Sequence, residues 1–139
     1  MLSLTQSILI EASLDNVYQT IIDFEKYPHI FTAVKKAKII KKNKKTPRVS
    51  FSLNILRQVN CILDFHLAPD HIKWKLVEGD MMKRNEGSWT LEEMGKNEVD
   101  VTYQLNVDLA VWMPTLVAEP LMKSNALGML KQLKRYVER

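Results

Sequence analysis

The chain has 139 residues, of which 46% are hydrophobic and 26% charged, and these proportions are typical of one globular domain with an ordinary core. A single cysteine, Cys61, excludes an internal disulfide framework and any zinc site built from several cysteines. The 20 Lys and Arg residues outnumber the 16 Asp and Glu residues, and the formal net charge of +4 favours an acidic partner such as nucleic acid or an anionic membrane.

The predicted elements begin with a weak strand near residues 4–10, followed by a short helix. Ser13 is a suitable N-cap for this helix, and Asp15 suits the positive end of the helix dipole. Pro28 disfavours helical geometry at Tyr27, so we expect the helix to end before that point. A second weak strand is predicted near residues 37–42.

A period-two alternation of apolar and polar side chains then predicts a series of strands, each with one buried and one solvent-facing side. The alternation runs through residues 48–55, 59–67, 72–76, 89–91 and 99–107. The connections between these segments are short, whereas parallel strands need crossovers of about a dozen residues or more. Successive strands are therefore expected to be antiparallel neighbours.

A long helix is predicted from about Pro114 to the C-terminus, with Pro120 causing a kink or a later start. Its apolar residues at helical spacing are Leu116, Leu127, Leu130, Leu133 and Val137. The whole pattern predicts a single α+β domain over residues 1–139, in which a curved antiparallel sheet of about six or seven strands wraps around this helix. A strongly bent sheet would leave an apolar pocket beneath the helix.

Several short motifs, in this order along the chain, carry a family resemblance. They are residues 10–18, Asp23-Phe24-Glu25-Lys26-Tyr27-Pro28, Leu76-Val77-Glu78-Gly79, Gly87-Ser88-Trp89-Thr90-Leu91, Asp100-Val101-Thr102-Tyr103 and Leu130-Lys131-Gln132-Leu133-Lys134. With them the chain resembles the START-like (SRPBCC, helix-grip) superfamily, most closely its polyketide cyclase/dehydratase and coenzyme-Q-binding branch. The resemblance implies a cavity between the sheet and the C-terminal helix for a hydrophobic molecule such as a lipid, an isoprenoid quinone (ubiquinone) or a polyketide-like compound. It leaves carrier, cyclase or dehydratase, and interaction module open, because a shared fold does not choose among them.

The candidate ligand-binding residues are apolar side chains expected on the buried sheet face or near the cavity mouth. They are Phe24, Tyr27, Phe31, Phe51, Phe65, Trp74, Trp89, Tyr103, Trp112, Met113, Leu116 and Leu127. Met81, Met82, Met122 and Met129 are further candidates, since methionine adapts to irregular cavities. The alternative interpretation is that the aromatic residues simply fill the core.

No catalytic residues, metal site or cofactor are expected. The sequence contains no nucleophile elbow, no phosphate-binding glycine loop and no metal-ligand spacing. His29, His66 and His71 occupy unrelated positions. Tyr103 is the clearest inward-facing polar candidate, and a cyclase or dehydratase would need a second polar side chain beside it. We therefore expect binding, with transport or sensing of a hydrophobic molecule, and keep the cyclase or dehydratase as the enzyme alternative.

The basic residues are concentrated in one segment, residues 35–45, which has no acidic residue. Its lysines are Lys35, Lys36, Lys38, Lys41, Lys42, Lys44 and Lys45. The remainder of the chain has 13 basic residues against 16 acidic ones, so it is mildly acidic. We expect this lysine segment to project from one end of the sheet. It is either a solvated edge that discourages strand pairing, a contact with anionic membrane, or a nucleic-acid or ribosome contact. The lysine segment has no interleaved aromatic residues on which bases could stack, and this counts against the nucleic-acid or ribosome contact.

The sequence shows no targeting or membrane segment. Residues 1–6 lack the cationic head and the apolar stretch of a secretory signal. No apolar run approaches the roughly 20 residues that a spanning helix needs. We expect a cytoplasmic protein that is at most peripheral on a membrane.

Overall fold

A computed structural model describes residues 2–110 and 113–139 of the chain. In these residues the strands of one antiparallel sheet are β1 (Leu2–Ile10), β2 (Val34–Lys41), β3 (Arg48–Ile55), β4 (Arg57–Ala68), β5 (His71–Gly79), β6 (Met82–Gly95) and β7 (Glu98–Leu109). The helices are α1 (Leu14–Ile22), α2 (Tyr27–Ile30) and α3 (Thr115–Val137), and a 3-10 turn spans Phe24–Lys26. The predicted α+β architecture, an antiparallel sheet with a long C-terminal helix, is confirmed.

The strands follow the order β1-β7-β6-β5-β4-β3-β2, so β1 and β2 are the edges of the sheet. One end of the sheet, which we call the Leu56 end, holds the β3–β4 turn at Leu56, the β5–β6 turn at residues 80–81 and the last residue of β7, Leu109. Leu2 reaches the same end, because it pairs with Val107. The opposite end holds the β2–β3 loop of residues 42–47 and the β6–β7 turn of residues 96–97.

The first helix ends at Ile22, before Pro28 as predicted, but the expectation that Tyr27 is not helical is wrong. Tyr27 is helical, with φ −51° and ψ −38°, and begins the one-turn α2. Pro28 is tolerated there because the first turn of a helix has no intrahelical partner for the missing N–H. The long helix already begins at Thr115 and continues through Pro120, so the later start is wrong as well. The predicted N-cap is confirmed, since the Ser13 side chain accepts a hydrogen bond from the Asn16 N–H at 3.1 Å.

Strand β6 is much longer than the predicted residues 89–91. Its first half lacks the alternation that would have indicated a strand, because Lys83 and Arg84 are both exposed. The pairing with β7 shifts register between Met82 and Arg84, as at a β-bulge, and a bulge breaks the period of two.

The C-terminal part of α3 is fixed to the rest of the fold. Leu130 and Leu133 are fully buried in the core. The Gln132 side chain exchanges two hydrogen bonds with Thr32, which donates its backbone N–H at 3.1 Å and accepts at its hydroxyl at 2.9 Å. Lys134 donates to the Leu9 carbonyl at 2.9 Å. None of the helices in the described residues is long and apolar enough to cross a membrane.

Candidate functional site

Seven aromatic side chains form a closed ring across the middle of the interior. Neighbouring ring centroids are 4.8 to 6.3 Å apart, within the range of favourable aromatic pairs. We call this closed circle of seven side chains the aromatic ring. Its members, in order, are Tyr27, Phe51, Phe65, Trp74, Tyr103, Trp89 and Phe31, and Phe31 contacts Tyr27 to close the circle.

The aromatic ring separates a filled half of the interior from a hollow half. Along β7, Val99 and Val101 precede Tyr103 and are fully buried in the core. The inward residues that follow Tyr103 are Leu105, Val107 and Leu109, and they line a cavity. The same change occurs on β3 at Phe51, because Val49 is core whereas Leu53 and Ile55 line the cavity. The hollow half is therefore the half toward the Leu56 end.

The cavity has a volume of about 440 Å³, which is within the usual range for small-molecule sites. Its wall is almost entirely apolar and comes from the sheet, the aromatic ring and α3. At the Leu56 end, Leu2, Leu56, Arg57, Met81, Leu109 and Met113 surround its mouth. The space can accommodate a small apolar molecule.

Helix α3 contributes small and flexible side chains to the wall. Ala118, Met122 and Ala126 follow one another at intervals of four residues on one helix face, and Met129 continues it. Leucine at the alanine positions would occupy part of the space. The cavity therefore exists partly because this half of the helix presents alanine where the core-packing half presents Leu130 and Leu133.

Two buried tyrosines of the cavity wall differ in what their hydroxyl groups contact. Tyr27 donates to the Ile21 carbonyl at 2.6 Å, so its hydroxyl serves the structure. For the Tyr103 hydroxyl no hydrogen-bond partner is found within residues 2–110 and 113–139. Burial raises the pKa of both phenols above the ordinary value, so both stay protonated at neutral pH. Tyr103 thus offers a neutral hydroxyl to the cavity.

Two asparagine amides add weakly satisfied donors to the wall. Asn85 accepts a hydrogen bond from the Trp74 indole at 2.9 Å, which fixes its orientation, and among the described residues its own Nδ2 contacts only the Met82 sulfur, at 3.7 Å. Within the same residues the Asn125 Nδ2 contacts only the Met129 sulfur, at 4.0 Å. Thioether sulfur is a weak acceptor, so both amides remain able to donate to a bound oxygen.

The described wall holds no group suited to acid–base chemistry at neutral pH. It contains no Asp, Glu, His or Lys among the residues that the structure describes, and Arg57 lies at the mouth. Burial raises the pKa of the Cys61 thiol to about 11, so this thiol stays protonated. The wall therefore offers hydrogen bonds and apolar contact.

The structure brings most of the sequence-predicted site residues together. Those on the cavity wall are Tyr27, Phe51, Phe65, Trp74, Trp89, Tyr103 and Met113, together with Met81, Met82, Met122 and Met129. Phe31 belongs to the aromatic ring without lining the cavity. Phe24 does not line the cavity either, and its ring centroid lies 4.3 Å from that of Phe65. Trp112 lies outside the described residues.

Leu116 and Leu127 are not on the cavity wall, which corrects the part of the expectation that placed them inside the cavity. Leu116 is 90% exposed and Leu127 is 41% exposed. These leucines do not mark the side of α3 that faces the cavity, because that side carries alanine, methionine and asparagine. Asn85, Asn125 and the alanines were missed. The spacing of four residues on either side of Met122 is the signal that could have found two of them, Ala118 and Ala126.

Only the loop part of the lysine segment lies at the end of the sheet opposite the cavity mouth, because Lys35 and Lys36 directly follow the cavity-lining Val34. All seven lysines are exposed, as predicted for a cationic edge. The segment does not simply project from one end, because Lys35, Lys36 and Lys38 lie along edge strand β2 and only its later part forms the loop opposite the Leu56 end. The partner of the segment stays a prediction.

Comparison with known families gives a match over residues 10–134 to the family described as polyketide cyclase / dehydrase and lipid transport. The chain belongs to this family. A comparison with curated proteins gives no significant sequence match.

Solved structures of the same fold are distant in sequence. A START superfamily protein from Mycobacterium smegmatis is 19% identical, with a TM-score of 0.90 and coverage of 98% of this chain and 97% of that one. The Zhui aromatase/cyclase from a Streptomyces species is 14% identical, with a TM-score of 0.89 and coverage of 99% and 94%. A fragment of a STAR-related lipid transfer protein from Xanthomonas axonopodis is 19% identical, with a TM-score of 0.80 and coverage of 99% and 86%. The START-like, helix-grip fold expected from the motifs is confirmed.

Proposed function

We propose that the protein binds a neutral, predominantly apolar small molecule in the cavity and carries it without transforming it. The observation that supports this most directly is the cavity of about 440 Å³ on the hollow side of the aromatic ring. A space of this size lined by aliphatic and aromatic side chains favours an apolar ligand, because binding removes the apolar surfaces of both the ligand and the wall from water. Membership of a family that includes lipid transport agrees with a carrier.

The hydrogen-bond donors on the cavity wall restrict the class of ligand that fits. Tyr103, Asn85 and Asn125 can each donate a hydrogen bond, and none has a strong protein acceptor for that donor among the described residues. A ligand without oxygen would leave the buried Tyr103 hydroxyl and the two partly buried amides without an acceptor from the ligand, which is unfavourable. A molecule with a carbonyl or hydroxyl oxygen on an apolar body, such as an isoprenoid quinone, a lipid or a polyketide-like compound, fits both parts of the wall.

The test begins with the purified protein and the neutral fluorophore phenylnaphthylamine, together with native mass spectrometry and solvent extraction for co-purified molecules. Met122→Trp would fill the cavity from the helix side, and we expect it to abolish fluorophore binding. Lys123→Trp is the matched control, because Lys123 is the exposed neighbour and its replacement should bind like the wild type. Equal binding by the two variants, with no extractable ligand, would contradict the proposal.

The tyrosine pair separates ligand contact from structural support. For a carbonyl-bearing ligand, Tyr103→Phe should weaken binding about threefold to tenfold, the value of one hydrogen bond, and leave stability nearly unchanged. Tyr27→Phe should lower stability by about 1 kcal/mol instead, since it removes the bond to Ile21. The opposite assignment of effects would show that the ligand approaches Tyr27.

A cyclase or dehydratase reaction is the second candidate, favoured by the Tyr103 hydroxyl, which has no hydrogen-bond partner among the described residues, and by the two amides in the same wall. These groups could orient a carbonyl but lack a base that is active at neutral pH. Incubation with a linear polyketide mimic distinguishes the two functions. A carrier returns the compound unchanged, whereas a cyclase returns a product whose formation Tyr103→Phe should slow by at least about tenfold.

A further inference from the structure

Two turns at the mouth of the cavity have an unusual backbone conformation. In the residues that the structure describes, two non-glycine residues have positive φ: Leu56 at 65° and Met81 at 63°. Glycine and asparagine normally occupy this left-handed region, because a Cβ next to the carbonyl disfavours it. Both residues stand in turns at the Leu56 end, and both carry large apolar side chains. Such unfavourable geometry often marks a functional position.

The same rim exposes more apolar surface than a soluble turn requires. Leu56 is 74% exposed at the tip of the β3–β4 turn. Leu116 and Val117, in the first turn of α3 and within four residues of the cavity-lining Met113, are 90% and 52% exposed. The β5–β6 turn is held beside the end of β7 by a hydrogen bond from the Ala110 N–H to the Met81 carbonyl at 3.0 Å. Three separate connections thus place apolar side chains around one opening.

Basic side chains accompany these apolar tips. Arg57 directly follows Leu56, and Lys83 and Arg84 follow the β5–β6 turn; all three are exposed, and Arg84 forms a surface ion pair with Glu86 at 3.8 Å. The nearby carboxylate of Asp80 is engaged by the Asn60 backbone N–H at 3.0 Å. Apolar residues that enter the acyl region, flanked by cations at headgroup level, are the pattern of proteins that lie on anionic bilayers.

We propose that the rim of Leu56, Met81, Leu116 and Val117 is a docking surface for an anionic lipid bilayer, from which the cavity is loaded or to which it is emptied. The apolar tips come from three separate connections, and such a set of tips suits a deformable bilayer surface. The proposal rests on the proposed function, since docking at the mouth serves exchange of the cavity ligand. It assigns membrane contact to the rim and not to the loop part of the lysine segment, which lies at the opposite end of the sheet.

The experiment measures flotation of the full chain with phosphatidylcholine vesicles, with and without phosphatidylglycerol. Leu56→Asn keeps a residue that tolerates positive φ, so its melting temperature should not fall, and Leu116→Ser changes an exposed side chain. We expect the double variant to bind mixed vesicles at least about tenfold more weakly than the wild type. Met94→Asn is the matched control: Met94 is 56% exposed but lies toward the opposite end of the sheet, and its variant should bind normally.

Three results would overturn the docking proposal. The wild type could fail to float with either kind of vesicle, or the double variant could float as well as the wild type. Sedimentation could also reveal a concentration-dependent dimer that the rim variants abolish, and the rim would then contact a second copy. Phenylnaphthylamine binding from water tests the proposed function separately, because the single variant Leu116→Ser changes a side chain that is not on the cavity wall and should still bind the fluorophore. A wild type that floats but binds no fluorophore would refute the cavity function and leave the docking surface standing.

Discussion

The two halves of the interior, on either side of the aromatic ring, are built from different side chains. On the filled side Ile21, Val99, Leu130 and Leu133 are fully buried and leave no space. On the hollow side the wall carries alanine, methionine and asparagine together with aliphatic strand residues that surround an opening. The comparison indicates that one side of a small domain can provide most of the stability while the other retains a cavity for binding.

Helix α3 shows the same division along its own length. Its C-terminal end is held by Gln132, Lys134 and Glu138, whose side chains bond to Thr32, Leu9 and Glu11. Within the described residues, no side-chain hydrogen bond joins residues 115–129 to the sheet; Asn125 contacts only its own helix. The anchored end fixes the helix, and the other end covers the cavity through apolar contact alone.

The largest expected difference between the two halves comes from truncating one side chain on each. Leu133→Ala should lower the free energy of unfolding by about 2–5 kcal/mol, because it opens a cavity in a packed core. Met122→Ala should cost less than about 1.5 kcal/mol, since Met122 already borders empty space. Urea denaturation measures both values. Equal losses would mean that the hollow side is packed as tightly as the filled one.

The aromatic ring that divides the halves depends on a glycine. A Cβ at Gly87 would lie 2.3 Å from Cζ2 of Trp74 and 2.4 Å from the backbone oxygen of Gln104. Gly87→Ala should therefore destabilise the protein by about 1–3 kcal/mol and change the near-ultraviolet dichroism of the displaced tryptophan. Gly95→Ala is the control, because its nearest contact would be 3.7 Å away. A Gly87→Ala variant with unchanged stability and unchanged dichroism would show that the Trp74 indole can move without lowering the stability of the protein.

Most of the sheet could be predicted from the sequence, because alternation reports directly which side of a strand is buried. It failed at residues 82–88, where a register shift and consecutive exposed charges remove the period of two. The proline arguments failed for a different reason. Pro28 falls in the first turn of α2, where the missing N–H has no intrahelical partner, and α3 continues through Pro120 although proline removes one of its backbone hydrogen bonds.

The candidate site was only partly predictable. The aromatic and methionine residues were found because large side chains at inward positions are visible in a strand pattern. Asn125 and Ala118 were not, because what they contribute is space and a donor, which only the packed structure reveals. Leu127 was assigned to the cavity or its mouth because its apolar character alone cannot distinguish a cavity-facing position from an exposed one.

A smaller effect is expected where α3 passes from the cavity to the core. A Cβ at Gly128 would meet nothing within 4 Å, so alanine fits there without strain. Gly128→Ala should raise the free energy of unfolding by about 0.5–1 kcal/mol, because alanine loses less conformational freedom in a helix. Thermal denaturation measures this gain, and fluorophore affinity should not change. A loss of stability would mean that the helix must flex at Gly128.

The smallest effect concerns the anchored end of α3 and depends on pH. The hydrogen bond from Lys134, together with one from the Glu11 backbone N–H, holds the pKa of Glu138 below its ordinary value of 4.5. A carboxylate whose pKa is lowered by folding contributes stability above its unfolded pKa and loses that contribution as the pH falls through the folded value. Wild type and Glu138→Gln should thus differ by about 0.5 kcal/mol at neutral pH, the usual size for an exposed pair, and converge in acid.

Measuring the free energy of unfolding of both proteins from neutral pH to below 4.5 checks this convergence. Glutamine retains a carbonyl oxygen that can accept from the Glu11 N–H, so the difference isolates the charge. A difference that persists below the folded pKa would assign the contribution to shape and hydrogen bonding instead. The anchored end of α3 would then be held, like its cavity end, by contacts that do not depend on ionisation.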